Sequence, residues 1–172
     1  MAIWRDIVKT TSPMVRKLHD YWQSKRAGRA LPDRADIDPA ELKPLLPYLI
    51  VAEVVEPPFR IRYRLIGTKI AAVSGLDFTG RYLDELLAAD LENRWHEYYL
   101  EARDTRAPVL GEVEVPTLHG DLFRYEFGIF PLTKGGDAVV QFIAIEDYGG
   151  REPRLKEIED KVAPWRERKT PR

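Results

Sequence analysis

The feature that most constrains this chain is the placement of its strand signals: two lie close together near the front, three lie at the back, and helical sequence fills the gap. From Tyr48 to Glu56 the run is mostly apolar, as a buried strand would be. In the next run Phe59, Ile61, Tyr63 and Leu65 alternate with Arg60, Arg62 and Arg64, the period of two of a half-buried strand. Pro57 and Pro58 cannot continue a ladder and mark the turn between the two runs. Val109 to Val115, Phe123 to Leu132 and Ala138 to Asp147 form the late trio, separated by the turn residues His119-Gly120-Asp121 and Lys134-Gly135-Gly136. Connections this short join antiparallel strands.

Between and before these runs the period changes to that of a helix. The first helix is expected from Pro13 to Ala27, with Ser12 as its cap, Pro13 at the first position and Gly28 at its end. Met14, Val15, Leu18, Tyr21 and Trp22 share one stripe, so this helix must dock, either on its own domain or across a dimer interface. The stretch from Gly28 to Pro39 reads as loop. Asp38, Pro39 and Glu41 then open a short helix, which Pro44 and Pro47 limit to a turn or two. Short helices are expected at Gly67 to Val73 and Tyr82 to Leu87. The longest runs from about Asp90 to Thr105 with Leu91, Trp95, Tyr98, Tyr99 and Ala102 on one face.

The helical middle must cross from the early strand pair to the late trio. The economical solution is an α+β fold: a five-stranded antiparallel sheet with helices packed on one face, plus the N-terminal amphipathic helix. The expected organisation is a helical extension and loop over residues 1–40, a core over 41–148, and a charged tail over 149–172. A cavity can open where apolar side chains of sheet and helices face each other.

Composition narrows the chemistry. The 172 residues are 44% apolar and 32% charged, a globular balance, and the net charge of −1 gives no global attraction to nucleic acid or an anionic bilayer. No window approaches the ~18 consecutive apolar residues of a membrane span, and the start lacks the apolar run of a secretory signal, so a soluble cytoplasmic protein is expected. There is no cysteine, which removes disulfides, thiolate metal sites and thiol nucleophiles. His19, His96 and His119 are far apart and have no metal-ligand spacing. Ser12, Ser24 and Ser74 sit in no nucleophile elbow, and there is no phosphate-binding glycine loop. The row Arg60, Arg62 and Arg64 reads as a solubilising outer face paired with Glu112, Glu114 or Glu126, or else as a site for an anionic partner.

Particular strings resemble those of small stand-alone bacterial PAS-domain proteins: GRALPDRADIDP followed by ELKPLLPYL, then YRLIGT at Tyr63 to Thr68, and GLDFTGRYLDEL at Gly75 to Leu86. The resemblance spans roughly Leu18 to Asp147. It implies a sensory or protein-interaction module without catalytic residues, often dimeric, and it names no ligand. On that reading the candidate ligand-binding residues are Tyr63, Leu65, Ile70, Leu86, Trp95, Tyr98, Tyr99, Tyr125, Phe127 and Phe142, an apolar and aromatic pocket in which tyrosine hydroxyls supply the polar anchors. The expected partners are a small apolar or aromatic molecule and a second copy or a signalling protein, with no nucleic acid and no membrane. No cofactor is required by the sequence.

Two alternatives stay open. Some PAS domains bind haem through a histidine on the long helix, which would make His96 an axial ligand in a gas or redox sensor, although His96 falls off the apolar stripe of its helix. A flavin sensor of the cysteinyl-adduct type is excluded by the missing thiol. The other alternative is a small cone-fold isomerase or dehydratase, which would need an Asp or His inside the pocket.

Overall fold

The computed structural model describes residues 2–86 and 89–155, and the side chains among them other than those of 89–93. Leu87, where the second short helix was expected to end, the side chain of Leu91 on the long helix, and the charged tail beyond Leu155 lie outside the described residues. In chain order the elements are β1 (Ala2–Trp4), α1 (Pro13–Lys25), β2 (Leu49–Val55), β3 (Arg60–Ile66), α2 (Thr68–Ser74), α3 (Ala89–Thr105), β4 (Val109–Pro116), β5 (Leu122–Leu132) and β6 (Gln141–Asp147). Single 3-10 turns stand at Ile7–Lys9, Arg34–Asp36, Leu46–Tyr48 and Leu83–Glu85. The short helices expected after Asp38 and from Tyr82 are thus turns: prolines deny the first its backbone donors, and the second closes only one 3-10 turn among the described residues.

All the strands belong to one antiparallel sheet in the order β1-β4-β5-β6-β2-β3. The late trio pairs within itself, the early pair within itself, and the two groups join where β2 lies beside β6. The expected architecture holds, with one correction. The sheet has six strands, because Ala2–Trp4 adds an edge beside β4. Three residues are too few to show a period of two, so this strand is set by its neighbour rather than by its own pattern.

The helices between the strand groups share one face, as expected, and the N-terminal helix takes the other. α2 and α3 cover one face, whereas α1 crosses the other, over β5 and β6. Its stripe buries Val15, Leu18 and Trp22. The Trp22 indole donates to the Pro131 carbonyl at 2.9 Å and lies 6.1 Å from the Phe130 ring. The start of α1 is fixed by acids of the sheet. Ser12 caps Val15 and donates to the Asp147 carboxylate at 2.5 Å, while Glu126 accepts from the backbone N–H groups of Thr11 and Ser12. The amphipathic helix therefore docks on its own domain, and its buried residues belong to the same core as the strands.

The basic row on β3 finds other partners than those expected. Arg62 and Arg64 pair with Glu53 of the adjacent strand, and Arg60 forms a two-pronged pair with Asp84. Glu112 and Glu114 pair with Arg124 instead. The reason is strand order: β3 is the far edge of the sheet, on the opposite side from β4.

Gly67 shows how closely the elements approach. It follows β3, its N–H donates to the Leu49 carbonyl at 2.8 Å, and a Cβ placed on it would stand 2.3 Å from the Pro47 carbonyl oxygen. The backbone of the 3-10 turn before β2 fills the space a side chain would need. Gly67→Ala is expected to lower stability by about 1–3 kcal/mol, as overpacking against rigid backbone does. Thermal unfolding checks this; an unchanged midpoint would contradict the packing.

Candidate ligand cavity

On the face covered by α2 and α3, the strands present Tyr63 from β3, Ile50 from β2, Tyr125, Phe127 and Ile129 from β5, and Ala144 and Glu146 from β6. Ala144 lies between Ile50 and Ile129 in the ladder, and its small side chain leaves space at the centre of the sheet. α2 contributes Ile70 and Ser74, α3 contributes Trp95 and Tyr99, and Phe78 and Leu86 close the wall between them. Leu155 completes the enclosure from beyond β6. Its N–H donates to the Val73 carbonyl at 3.1 Å, and it bridges to Thr117 at the β4–β5 turn. The enclosed space is about 50 Å³.

Seven of the ten residues expected to form a pocket line this cavity: Tyr63, Ile70, Leu86, Trp95, Tyr99, Tyr125 and Phe127. The other three do not. Leu65 is on the opposite face and 44% exposed. Val51 pairs with Leu65 but Ala52 pairs with Tyr63, so Arg64 is an extra residue in the ladder. That bulge resets the alternation, and Leu65 turns outward beside Val51 and Ile143. Tyr98 is one position off the inward line of α3 and stacks on the outside of Phe127 at 5.7 Å. Phe142 is fully buried but is covered by the Tyr99 ring 5.1 Å away, which makes it part of the packed core.

The rings are held against one another. Trp95 meets Phe127 edge-on at 4.8 Å, and Tyr63 meets Phe78 at 4.9 Å. Gly111 sits opposite Phe127 in the ladder, and a Cβ there would stand 2.8 Å from the Phe127 ring. The polar groups are few. The Tyr63 and Tyr99 phenols both line the space, and burial raises the pKa of each. Ser74 is buried.

The residue that the sequence reading missed is Glu146. It lies opposite Phe127 across the β5–β6 ladder, so its side chain shares the cavity face. The residue is half-buried, and it accepts a hydrogen bond from the Tyr148 hydroxyl. Loss of hydration pushes its carboxyl up to about 7, and the bond from Tyr148 pulls only partly the other way. The signal was present in the run from Gln141 to Asp147: Phe142, Ala144 and Glu146 are in phase at a period of two. Glu146 is the charged residue among the described residues that line the cavity.

His96 stands elsewhere. Its ring packs edge-on to Phe59 at 5.1 Å and its Nε2 lies 3.2 Å from the Phe59 carbonyl oxygen, outside the cavity lining. An axial ligand must point at its iron, and this histidine points at a β-turn. His119 is exposed in the β4–β5 turn. Among the described residues no group of three His, Asp or Glu side chains could hold a metal ion, and no helix is long and apolar enough to cross a membrane.

Helices α2 and α3 are inserted between the β2–β3 hairpin and the β4–β5 hairpin of a six-stranded antiparallel sheet, an α+β arrangement in which they lie over an aromatic cavity. The PAS domain family model matches residues 10–145, and the chain belongs to that family. No curated protein matches it. Among solved structures, an RNA-binding light-oxygen-voltage receptor is 16% identical, with a TM-score of 0.48, over 76% of this chain and 36% of that one. The chain therefore spans about a third of that receptor's length. The light-state structure of the blue-light photoreceptor Aureochrome1 LOV is 10% identical over 76% of this chain and 97% of its own, with a TM-score of 0.45. The PAS domain of Bordetella pertussis BvgS is 15% identical over 77% and 98%, with a TM-score of 0.38. Likenesses this distant say nothing of what the chain binds.

A carboxyl whose folded pKa is raised from 4.5 to about 7 favours the native state only while protonated. Stability is therefore highest below the unfolded value and falls as pH rises through the folded one. The full difference is on the order of 3 kcal/mol before any discount for residual hydration. Glu146→Gln removes the titration, so the variant is expected to unfold at a higher temperature than the wild type at pH 8, with the gap closing by pH 5. A gap independent of pH would contradict the buried position of the carboxyl.

Proposed function

We propose that this protein is a non-catalytic sensory or interaction module whose input is a small molecule held in the cavity between the sheet and helices α2 and α3. The observation that carries this reading is the composition of that cavity: six aromatic rings, a ring of aliphatic side chains, and a few convergent polar groups. Solvent-excluded aromatic walls supply affinity, and isolated polar groups supply orientation. The proposed ligand-binding residues are Tyr63, Ile70, Leu86, Trp95, Tyr99, Tyr125 and Phe127, together with Glu146.

The size of the space sets the class of ligand. At about 50 Å³, it is roughly a third of the ~150 Å³ cavity that accepts a benzene. A group of a few heavy atoms fits as the cavity stands, and anything larger must displace part of the wall. Leu155 is the wall residue placed to respond, since it lies on the segment leaving β6 rather than in a helix or strand. Occupancy would shift the equilibrium between a seated and a lifted Leu155, and so be passed to the chain that carries it. No catalytic step is assigned: among the described lining residues Glu146 is bonded to the Tyr148 hydroxyl rather than to Ser74.

A partner protein or a second copy is the other half of the proposal. The outer face offers a groove in which the exposed Leu65 lies beside Val51 and Ile143 and is flanked by Arg34 and Arg64, a surface on which a partner could dock.

The test is a native mass spectrum of protein taken directly from cells, followed by thermal unfolding with a panel of small metabolites. A bound mass, or a ligand that raises the midpoint in the wild type but not in Ala144→Val, where added methyl groups fill the space, is the expected result. Equal responses in both proteins would place binding elsewhere.

A further inference from the structure

The cavity has an unusual charge pattern. Trp95, Tyr63, Phe78, Tyr99, Tyr125 and Phe127 surround it, and the described lining residues include one carboxylate, Glu146, and no arginine, lysine or histidine. Aromatic rings carry negative potential on their faces and attract cations. A carboxylate does the same more strongly, and more so where water is excluded. Anionic ligands would meet repulsion from Glu146 with no cation to offset it. Neutral apolar ligands would leave the carboxylate desolvated, with the hydrogen bond from Tyr148 and no compensating charge from the ligand.

We propose that the cavity takes a small organic ammonium cation, its charged head beside Glu146 and its carbon atoms against Trp95, Tyr125 and Phe127. This rests on the sensory reading above and names the ligand class of the same site. Size and charge agree. A primary ammonium has three donors, and the described cavity residues offer side-chain acceptors in Glu146, Ser74 and the hydroxyls of Tyr63, Tyr99 and Tyr125. The short carbon chain of such a cation occupies the space over Ala144. A longer or aryl-bearing amine requires Leu155 to move, which ties ligand length to the response.

Binding of a cation also favours the ionised form of the carboxylate. Among the described residues, the other titratable groups around Glu146 are Tyr63 from β3, Tyr99 from α3, Tyr125 from β5 and Tyr148 from its own segment, and burial holds Tyr63, Tyr99 and Tyr148 neutral at ordinary pH. Ammonium affinity should therefore rise with pH across the range in which Glu146 loses its proton, while the amine itself stays protonated.

The experiment measures thermal unfolding and Trp95-sensitive fluorescence of the full chain with methylammonium, isobutylammonium and phenethylammonium. Isobutanol serves as the neutral match and isovalerate as the anionic one. The expected result is a rise in midpoint with the ammonium ions, little or none with the alcohol or the acid, and affinity at least about tenfold weaker in Glu146→Gln. Glu146→Asp, which keeps the charge on a shorter stem, should retain part of the response and guards against a folding defect. If the alcohol binds as well as the ammonium, or Glu146→Gln responds unchanged, the cation proposal is wrong and the sensory cavity stands. If no compound of any charge alters either signal and protein from cells carries no added mass, both readings fall.

Discussion

The structure depends on β5 being buried on both faces from Phe127 to Leu132. Along Leu122–Leu132 one set of side chains, Phe123, Tyr125, Phe127 and Ile129, faces α2 and α3, while Phe130 and its neighbours face α1. A strand in that position binds the two helical layers into one core, because neither layer can be removed without exposing half of it. It also explains why the acids at its end matter. Glu126 on the outer face holds the first residues of α1, and its cross-strand partner Asp147 holds Ser12. Charged groups beside a helix N-terminus are satisfied by free N–H donors, so the sheet can carry them without strain.

Much of this was legible in the sequence. The strand runs, their turns and the helix from Pro13 are local patterns of period and capping, and local patterns survive folding when tertiary contacts reinforce them. The core aromatics Tyr63, Trp95, Tyr99, Tyr125 and Phe127 follow from the same periods. What could not be read was anything set by a neighbour. The β1 edge exists only because β4 offers it a ladder. The bulge at Arg64 is a property of two strands together, and a single strand's alternation carries no mark of it; Leu65 was misplaced for that reason. The ion pairs of the arginine row depended on strand order, which spacing alone does not determine.

Glu146 is the instructive omission. Its position in phase with Phe142 and Ala144 was visible, but an acidic residue near the end of a strand reads as solvated by default. Only the roof formed by α2, α3 and Leu155 takes water away from it. Its chemistry is therefore a product of the assembled fold, and it converts an otherwise ordinary aromatic core into a site with a preferred sign of charge. The same roof gives the site a way to report occupancy, since Leu155 is bonded to α2 and to the β4–β5 turn at once.

The central claim is that the half-buried Glu146 carboxyl faces the aromatic cavity and has lost much of its hydration there. The most direct measurement is a pH titration of the side-chain carboxyl carbons in protein labelled at glutamate, with the Glu146 resonance assigned from Glu146→Gln. The account predicts one carboxyl titrating near 7, well above the ~4.3 of a solvated glutamate. A Glu146 midpoint at the solvated value would mean that the cavity is open to water, and would contradict the account.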